Sequence, residues 1–528
     1  MKRLFFVVLL VLVAPAVRAK SDSDRWWAHI VYLSDDSLQG RETGSEGHRK
    51  AASYVADQFK KAGLKPGGTN GYFQPVSLLK RRIVEEKSSL TLIRGNTEEP
   101  IKWGDEAMLS MRIDHTPKLE APLVFVGYGL RIPEANYDDL AGIDLQGKIV
   151  VLLSGIPPGI PGPLASHYGS VRWQSLYAAG AVGGIAIQNP KTLEVPWERL
   201  VLSRFLPQMV LTDASMADSV GQQLAATINP AHAEKWFAGS GHTFKEILDL
   251  ANEGKRLPSF DMKASVRSIV TQETEPVTSE NVVGILPGTD PTLKDEYVVI
   301  SAHLDHLGTS AKPVDGDTVF NGAMDNASGI ATLIETAAAA RKGFKRSVLF
   351  IAVTAEEKGL LGSRYFAHRP TVPASKIVAN LNTDMFLPIF PMKSVIALGL
   401  EESDLAADLR RVAARMGIEV LADPEPERNG FIRSDQYSFI RRGIPALSPK
   451  LGFTKDSPEH EIVKKWRMDR YHSVRDDLSQ PIDRQAAVDF NRFYMSLVEA
   501  VANRPTRPAW NSDSFFRHFA QSATNSTR

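Results

Sequence analysis

Two imidazoles and three carboxylates stand out because most of them lie in short polar motifs at the ends of apolar runs. The motifs read Ala302-His303-Leu304-Asp305, Met324-Asp325-Asn326-Ala327-Ser328-Gly329, Ala355-Glu356-Glu357, Asn382-Thr383-Asp384-Met385 and Tyr471-His472-Ser473. Nitrogen and oxygen donors without any thiolate suit zinc used for catalysis rather than a closed structural cage. His303, Asp325, Glu357, Asp384 and His472 together exceed what one catalytic zinc takes. They suit two metals sharing a bridging carboxylate, an arrangement that activates a water between two Lewis acids.

Each motif suggests a division of labour. The run Val298-Val299-Ile300 leads into His303, and ligands gather at the carboxyl ends of strands in open α/β sheets. Strand alternation puts His303 and Asp305 on one face and His306 off it. His303 is therefore the expected ligand, with Asp305 accepting its other ring proton and fixing the tautomer. Asp325 stands where a loop enters a helix, so it is either an N-cap or a bridging ligand. Gly322 and Gly329 around it, with a second acidic cluster following, favour the bridge. Glu356 and Glu357 follow a strand, and adjacent carboxylates repel unless a cation or proton lies between them. One of the pair is expected to hold metal while the other takes a proton from the attacking water. Asp384 closes a third strand. His472 completes the donor set, and Tyr471 beside it could donate to a developing oxyanion or serve as core packing.

The elements that must position these donors follow from the apolar pattern. Tyr297–Ala302, Ser347–Thr354 and Lys376–Leu381 read as strands, alternating with helices over Ser328–Arg341 and Leu361–His368. Such alternation over about residues 278–505 predicts an α/β fold, a mixed and mostly parallel central sheet sandwiched by helices. Nearer the N-terminus, Ala51, Ala52, Val55, Ala56, Phe59 and Ala62 recur at helical spacing before Gly63. Over residues 118–268 the texture changes to short strands, such as Leu123–Val126, Ile149–Leu153 and Ile185–Ile187, between turn-rich segments. No donor motif falls there, so an inserted β-rich domain is expected. The expected organisation is a discontinuous catalytic domain over 20–117 and 269–505, the insert at 118–268, and a loosely held tail over 506–528.

The chain as a whole sets limits. Its 528 residues are 43% hydrophobic and 23% charged, with a formal net charge of +1 that gives no electrostatic argument for nucleic acid or an anionic membrane. There are no cysteines, which excludes a cysteine nucleophile, a thiolate zinc site and a lipidated N-terminal cysteine. Lys2 and Arg3 precede an apolar run from Leu4 to Val13, with Val17-Arg18-Ala19 behind it. This pattern predicts a secretory signal at 1–19 and export to the periplasm or the extracellular space. The run is too short to span a bilayer, so no stable membrane anchor is expected.

In this order the motifs resemble the di-zinc exopeptidase family of secreted leucyl aminopeptidases and glutamate carboxypeptidase. The lead-in Leu33-Ser34-Asp35-Asp36-Ser37-Leu38-Gln39-Gly40-Arg41 is similar to a family hallmark. Val126-Gly127-Tyr128-Gly129, Tyr137-Asp138-Asp139-Leu140 and Gly147-Lys148-Ile149-Val150-Val151 resemble a protease-associated domain. The resemblance implies two Zn2+ per chain, His303 and Asp384 on one, Glu357 and His472 on the other, and Asp325 bridging. It further implies Glu356 as general base and Tyr471 as oxyanion donor, acting on a peptide substrate. Two departures stand out: Met324 where relatives often carry a second aspartate, and Gln436 where many carry histidine. Removal of an N-terminal residue is the expected reaction, with a carboxypeptidase as the runner-up and Arg428, Arg433, Arg441 and Arg442 its candidate recognition residues. A glutaminyl cyclase-like acyltransferase uses one zinc, and a non-catalytic binding module would have lost donors.

Overall fold

The computed structural model describes residues 21–520 apart from Glu194, Asp315 and Arg341; the expected signal segment 1–19 lies outside the described residues. Two sheets organise them. The larger contains β1 (Phe73–Ile83), β2 (Gln208–Leu211), β3 (Gln272–Leu286), β4 (Tyr297–His303), β5 (Ser347–Val353), β6 (Ile377–Asn382), β7 (Ser394–Leu398), β8 (Glu419–Leu421) and β9 (Ala446–Leu451). Their spatial order is β2-β1-β3-β5-β4-β6-β9-β7-β8, and Lys65–Pro66 adds a short pairing to β3.

The strands β5, β4, β6 and β9 are mutually parallel, as expected. The flanks are not. β2, β1 and β3 pair antiparallel with one another and onto β5, and β7 pairs antiparallel with β9. The sheet is thus evenly mixed rather than mostly parallel, and its parallel part is the segment that carries the donor motifs.

Burial on both faces explains why these strands read as continuous apolar runs. In β4 and β5, Val298, Ile300, Val348 and Phe350 point into one core, while Val299, Leu349, Ile351 and Val353 point into the other. Each such side chain contributes about 1.5–3 kcal/mol on burial. Helices cover the first core: α1 (Asp22–Leu33), α2 (Glu46–Lys61), α3 (Ser328–Ala339) and the long Arg484–Asn503 helix. The expected period of α2 is realised, with Ala51, Ala52, Val55, Ala56 and Phe59 buried and Ser45 capping its first turn from His48 N at 3.1 Å.

The second sheet runs Thr97–Pro100, Ser89–Arg94, Ser259–Ile269, Lys118–Val126, Ile149–Leu153, Gly183–Ile187, Leu224–Ile228 and Ala107–Leu109 in spatial order. It has its own core, including Phe125, Val151, Ile185, Trp236 and Phe237. Three of its strands precede residue 118. One segment inside its span, β2, leaves it and pairs with Leu78–Arg81 of the larger sheet. The two sheets are therefore stitched together rather than joined end to end. The C-terminal segment also differs from the loosely held tail that its prolines suggest: Phe516 is fully buried among Leu398, Phe431 and Ile440, and Trp510 forms a β-bridge with Ser403.

Arg41 fastens the donor-bearing edge. Its guanidinium donates to Leu304 O at 2.9 Å, Asn321 O at 2.6 Å and Gly322 O at 3.0 Å, and also to Leu33 O. Burial pulls its pKa down to about 10, still charged at neutral pH. These carbonyls flank His303 and Asp325, so one buried cation sets the spacing between two donor loops. Arg41→Ala removes the guanidinium from the Leu33, Leu304 and Asn321 carbonyls, while Gly322 O keeps its bond from Ala327 N, and is expected to lower unfolding free energy by at least about 3 kcal/mol in urea titration; an unchanged midpoint would refute that role.

Candidate metal centre

The register of the parallel strands brings the donors together. His303 pairs with Val353 across β4 and β5, and Ser301 pairs with Asn382 across β4 and β6. The three strands thus end level. His303 lies at one tip, Glu356 and Glu357 just past the second, and Asp384 two residues beyond the third.

Asp325 sits among them for a separate reason. α3 takes its side-chain cap from Asn326, whose Oδ1 accepts from Gly329 N at 3.1 Å. That leaves the Asp325 carboxylate free of capping. Asp476 holds the preceding turn, accepting from Met324 N at 2.9 Å and Asp325 N at 3.0 Å. Gly322 has φ +59, and a Cβ there would come within 2.6 Å of His306 Cδ2, so no larger residue fits this turn.

The Asp325 carboxylate faces two donor groups. Its Oδ1 is 3.1 Å from His303 Nε2, which is in turn 3.5 Å from Asp384 Oδ1. Its Oδ2 is 3.3 Å from His472 Nε2, which lies 3.2 Å from Glu357 Oε2. Ligands placed about 2.1 Å from a tetrahedral zinc are separated by about 3.4 Å. All four separations match that edge length. Asp384 Oδ1 is also buried without a hydrogen-bond partner, an orphan that a cation satisfies. The residues fit two metal ions, one on each side of Asp325.

The electrostatics point the same way. Burial opposes charge on His303 and His472, yet the surrounding carboxylates hold both imidazoles well above their ordinary pKa. Burial likewise opposes charge on Asp325 and Glu357, yet the facing histidines hold both well below the carboxylate range. Glu356 behaves oppositely. Burial first, then repulsion from Glu357, Asp435 and Asp384, pushes its carboxyl well above the usual value despite His303. The two neighbouring glutamates are thereby separated into one that favours its charged form and one whose affinity for a proton is raised.

Two expectations change. His303 Nδ1 faces the Asp305 backbone carbonyl at 3.1 Å, not the Asp305 carboxylate. That carboxylate instead accepts from Glu356 N at 3.0 Å and Thr43 Oγ1 at 3.0 Å, so it shapes the turn carrying the glutamates. His306 was expected to point off the site, but it is fully buried with Nδ1 2.8 Å from Glu357 Oε1 and 4.0 Å from Asp325 Oδ2. Both differences have one cause: β4 ends at His303, so strand alternation no longer governs residues 305 and 306. His306, Asp325 and Glu357 also offer atoms within 4.8 Å of one another, so His306 and His472 both face the second group, His306 at 2.8 Å and His472 at 3.2 Å from Glu357. Gln436 does not line the cavity; it is buried, accepting from Asn382 Nδ2 at 2.9 Å and donating to Phe431 O at 3.0 Å. Met324 is buried in the main core.

Tyr471 stacks on His472 with ring centroids 3.9 Å apart and lines the cavity beside Glu356 and Asp384. Burial and then the charges of Asp325 and Glu357 hold its hydroxyl well above its ordinary pKa, as a donor. The loop bearing it is clasped by Arg199, which donates to Tyr471 O at 2.8 Å and Met468 O at 3.1 Å. Sequence reasoning missed Arg199, Asp476, Arg41 and Thr43. Only Arg41 carried a local signal, its place in the lead-in motif.

Residues 281–498 match the model of peptidase family M28. That segment is similar to the M28 peptidases and carries the donor residues described above. The chain is 25% identical over 355 residues to a probable leucine aminopeptidase 2 of Aspergillus oryzae, covering 66% of this chain and 55% of that protein. It is 27% identical over 206 residues to aminopeptidase YwaD of Bacillus subtilis, covering 38% of this chain and 40% of that one. The chain thus spans about half the length of the curated relatives it matches. Among solved structures, an aminopeptidase from an Aneurinibacillus strain superposes with a TM-score of 0.53 at 20% identity, covering 92% of this chain and 95% of that one. The matched segment contains all five expected donors, and its side chains form two groups that could each hold a metal ion and that share Asp325.

Metal analysis checks the sharing. Dialysed protein is expected to retain two zinc ions per chain, Asp384→Ala to retain one and Asp325→Ala neither. An Asp325→Ala protein that still holds two would show that the carboxylate is not common to both sites.

Proposed function

We propose that the chain is an exported aminopeptidase that hydrolyses the first peptide bond of a peptide with a free N-terminus. The observation that carries this reading is the pair of donor groups sharing Asp325, with Glu356, a carboxyl of raised proton affinity, beside them in one cavity. His303 and Asp384 would hold one zinc, Glu357 and His472 the other, and Asp325 both. When bound, such ions lower the pKa of a water and polarise the scissile carbonyl.

This chain's own residues supply the rest. Glu356 removes the proton from the attacking water and returns it to the leaving amine, which requires a carboxyl whose pKa is raised toward neutrality. Tyr471 donates its hydroxyl to the oxygen that becomes negative in the tetrahedral intermediate. Asp305 and Thr43 hold the Glu356 turn, and Arg199 holds the Tyr471 turn.

We further propose that the second sheet, residues 118–268 with the strands from Ser89 to Leu109, is a protease-associated domain; its separate core and its motifs support this. Export rests on the basic and apolar N-terminal pattern. No helix among the described residues is long and apolar enough to cross a membrane.

A carboxypeptidase is the second reading, because Arg428 and Arg433 line the cavity. Arg441 is engaged elsewhere, with Asp218 at 3.1 Å. Paired free and N-acetylated peptides separate the two: cleavage only with a free amine is expected, and equal cleavage of both would overturn the aminopeptidase reading. Glu356→Gln is expected to lower kcat by about a hundred- to ten-thousand-fold while zinc content stays at the wild-type level. Near-normal turnover would remove Glu356 from the mechanism.

A further inference from the structure

The cavity that opens onto the donors has a cation that neither the metal centre nor the proposed mechanism uses. β7 and β9 form its floor. Ile396 pairs with Lys450 and Leu398 with Ser448, so by alternation these four side chains share one face, and all four line the cavity. Lys450 is only partly exposed there, in a strand whose other residues are buried.

Among the described residues its ammonium makes no hydrogen bond and no ion pair. Asp384, the carboxylate whose charge acts most strongly on it, faces His303 at 3.5 Å in the metal centre. The neighbouring anion Glu425 is also engaged, accepting from Arg467 Nη1 at 2.8 Å and facing His460 Nε2 at 3.2 Å. Arg467 and Arg428 add like charge around Lys450, and burial also disfavours its protonated form. A partly desolvated ammonium without a counter-ion is costly unless something supplies the missing charge. What enters this cavity is the substrate. Beside the ammonium, Ile396 and Leu398 offer an apolar surface suited to the methylenes of a short acidic side chain.

We infer that Lys450 is a specificity-determining residue that pairs with a carboxylate of the substrate within one residue of the scissile bond. This inference rests on the aminopeptidase reading and gives it a substrate class: peptides beginning with an acidic residue, or dipeptides whose own C-terminal carboxylate reaches the same ammonium. A carboxylate is a better partner than a neutral carbonyl because the hydrogen bond is charge-assisted.

The test uses the zinc-loaded full chain and isosteric substrate pairs. Glu-Ala-Ala-amide against Gln-Ala-Ala-amide reads the side chain, and Leu-Ala against Leu-Ala-amide reads the terminal carboxylate. In one pair the acid is expected to exceed its amide in kcat/KM by about 10- to 100-fold, the worth of a hydrogen bond to a charged partner. Lys450→Met is expected to collapse that ratio to near unity, Lys450→Arg to preserve most of it, and Lys450→Glu to invert it. A ratio is insensitive to partial misfolding, which lowers acid and amide turnover together. Equal rates for acid and amide in both pairs, or a ratio that survives Lys450→Met, would overturn the inference. The aminopeptidase reading fails separately, if none of the four substrates is cleaved.

Discussion

Asp325, Glu356, Glu357 and Asp384 crowd four carboxylates into a water-poor space at the edge of a sheet. Their mutual repulsion is the constraint to which the surrounding structure answers. Positive charge must lie between them, and His303 and His472 take up the two positions where it is needed, each bridging Asp325 to a second carboxylate. The fourth carboxylate, Glu356, is left outside these pairs, and burial with its like-charged neighbours raises its affinity for a proton instead. The difference between ligand and base is thus one of which partner each glutamate meets, since adjacent residues on one turn share nearly the same burial.

Such a cluster has to be held against its own repulsion, and the holding groups come from distant parts of the chain. Arg41 ties Leu304 to Asn321 and Gly322, so the His303 and Asp325 loops cannot drift apart. Asp476 fixes the Asp325 turn from the C-terminal side. Asp305 fixes the Glu356 turn. Arg199 reaches from the span of the second sheet to clasp the loop of Tyr471. That contact, together with β2 leaving its own sheet to pair with the larger one, makes the second sheet part of the framework of the active cavity.

Much of this was readable in the chain. β4, β5 and β6 are buried on both faces, so their apolar runs were plain and ended within a residue or two of the observed boundaries. The five donors were readable because most close such a run or open a helix. What alternation could not reveal was the path of the chain after β4 ends, which turns His306 inward and gives the orienting contact of His303 to the Asp305 main chain instead of its carboxylate. The antiparallel flanks were hidden because β1 alternates between buried and exposed positions without a strong apolar run. Arg199, Asp476 and Lys450 depend on contacts hundreds of residues apart in sequence or on a cavity wall, and no local pattern marks them.

The sharing of Asp325 between two metal ions is the claim on which the roles of all the other residues depend. Anomalous diffraction at the zinc edge from crystals of the zinc-loaded protein addresses it directly. Two peaks are expected, about 3.5–4 Å apart, one against His303 and Asp384 and the other against Glu357 and His472, with one Asp325 oxygen directed at each. A single peak, or a second peak ligated by His306 in place of His472, would contradict it.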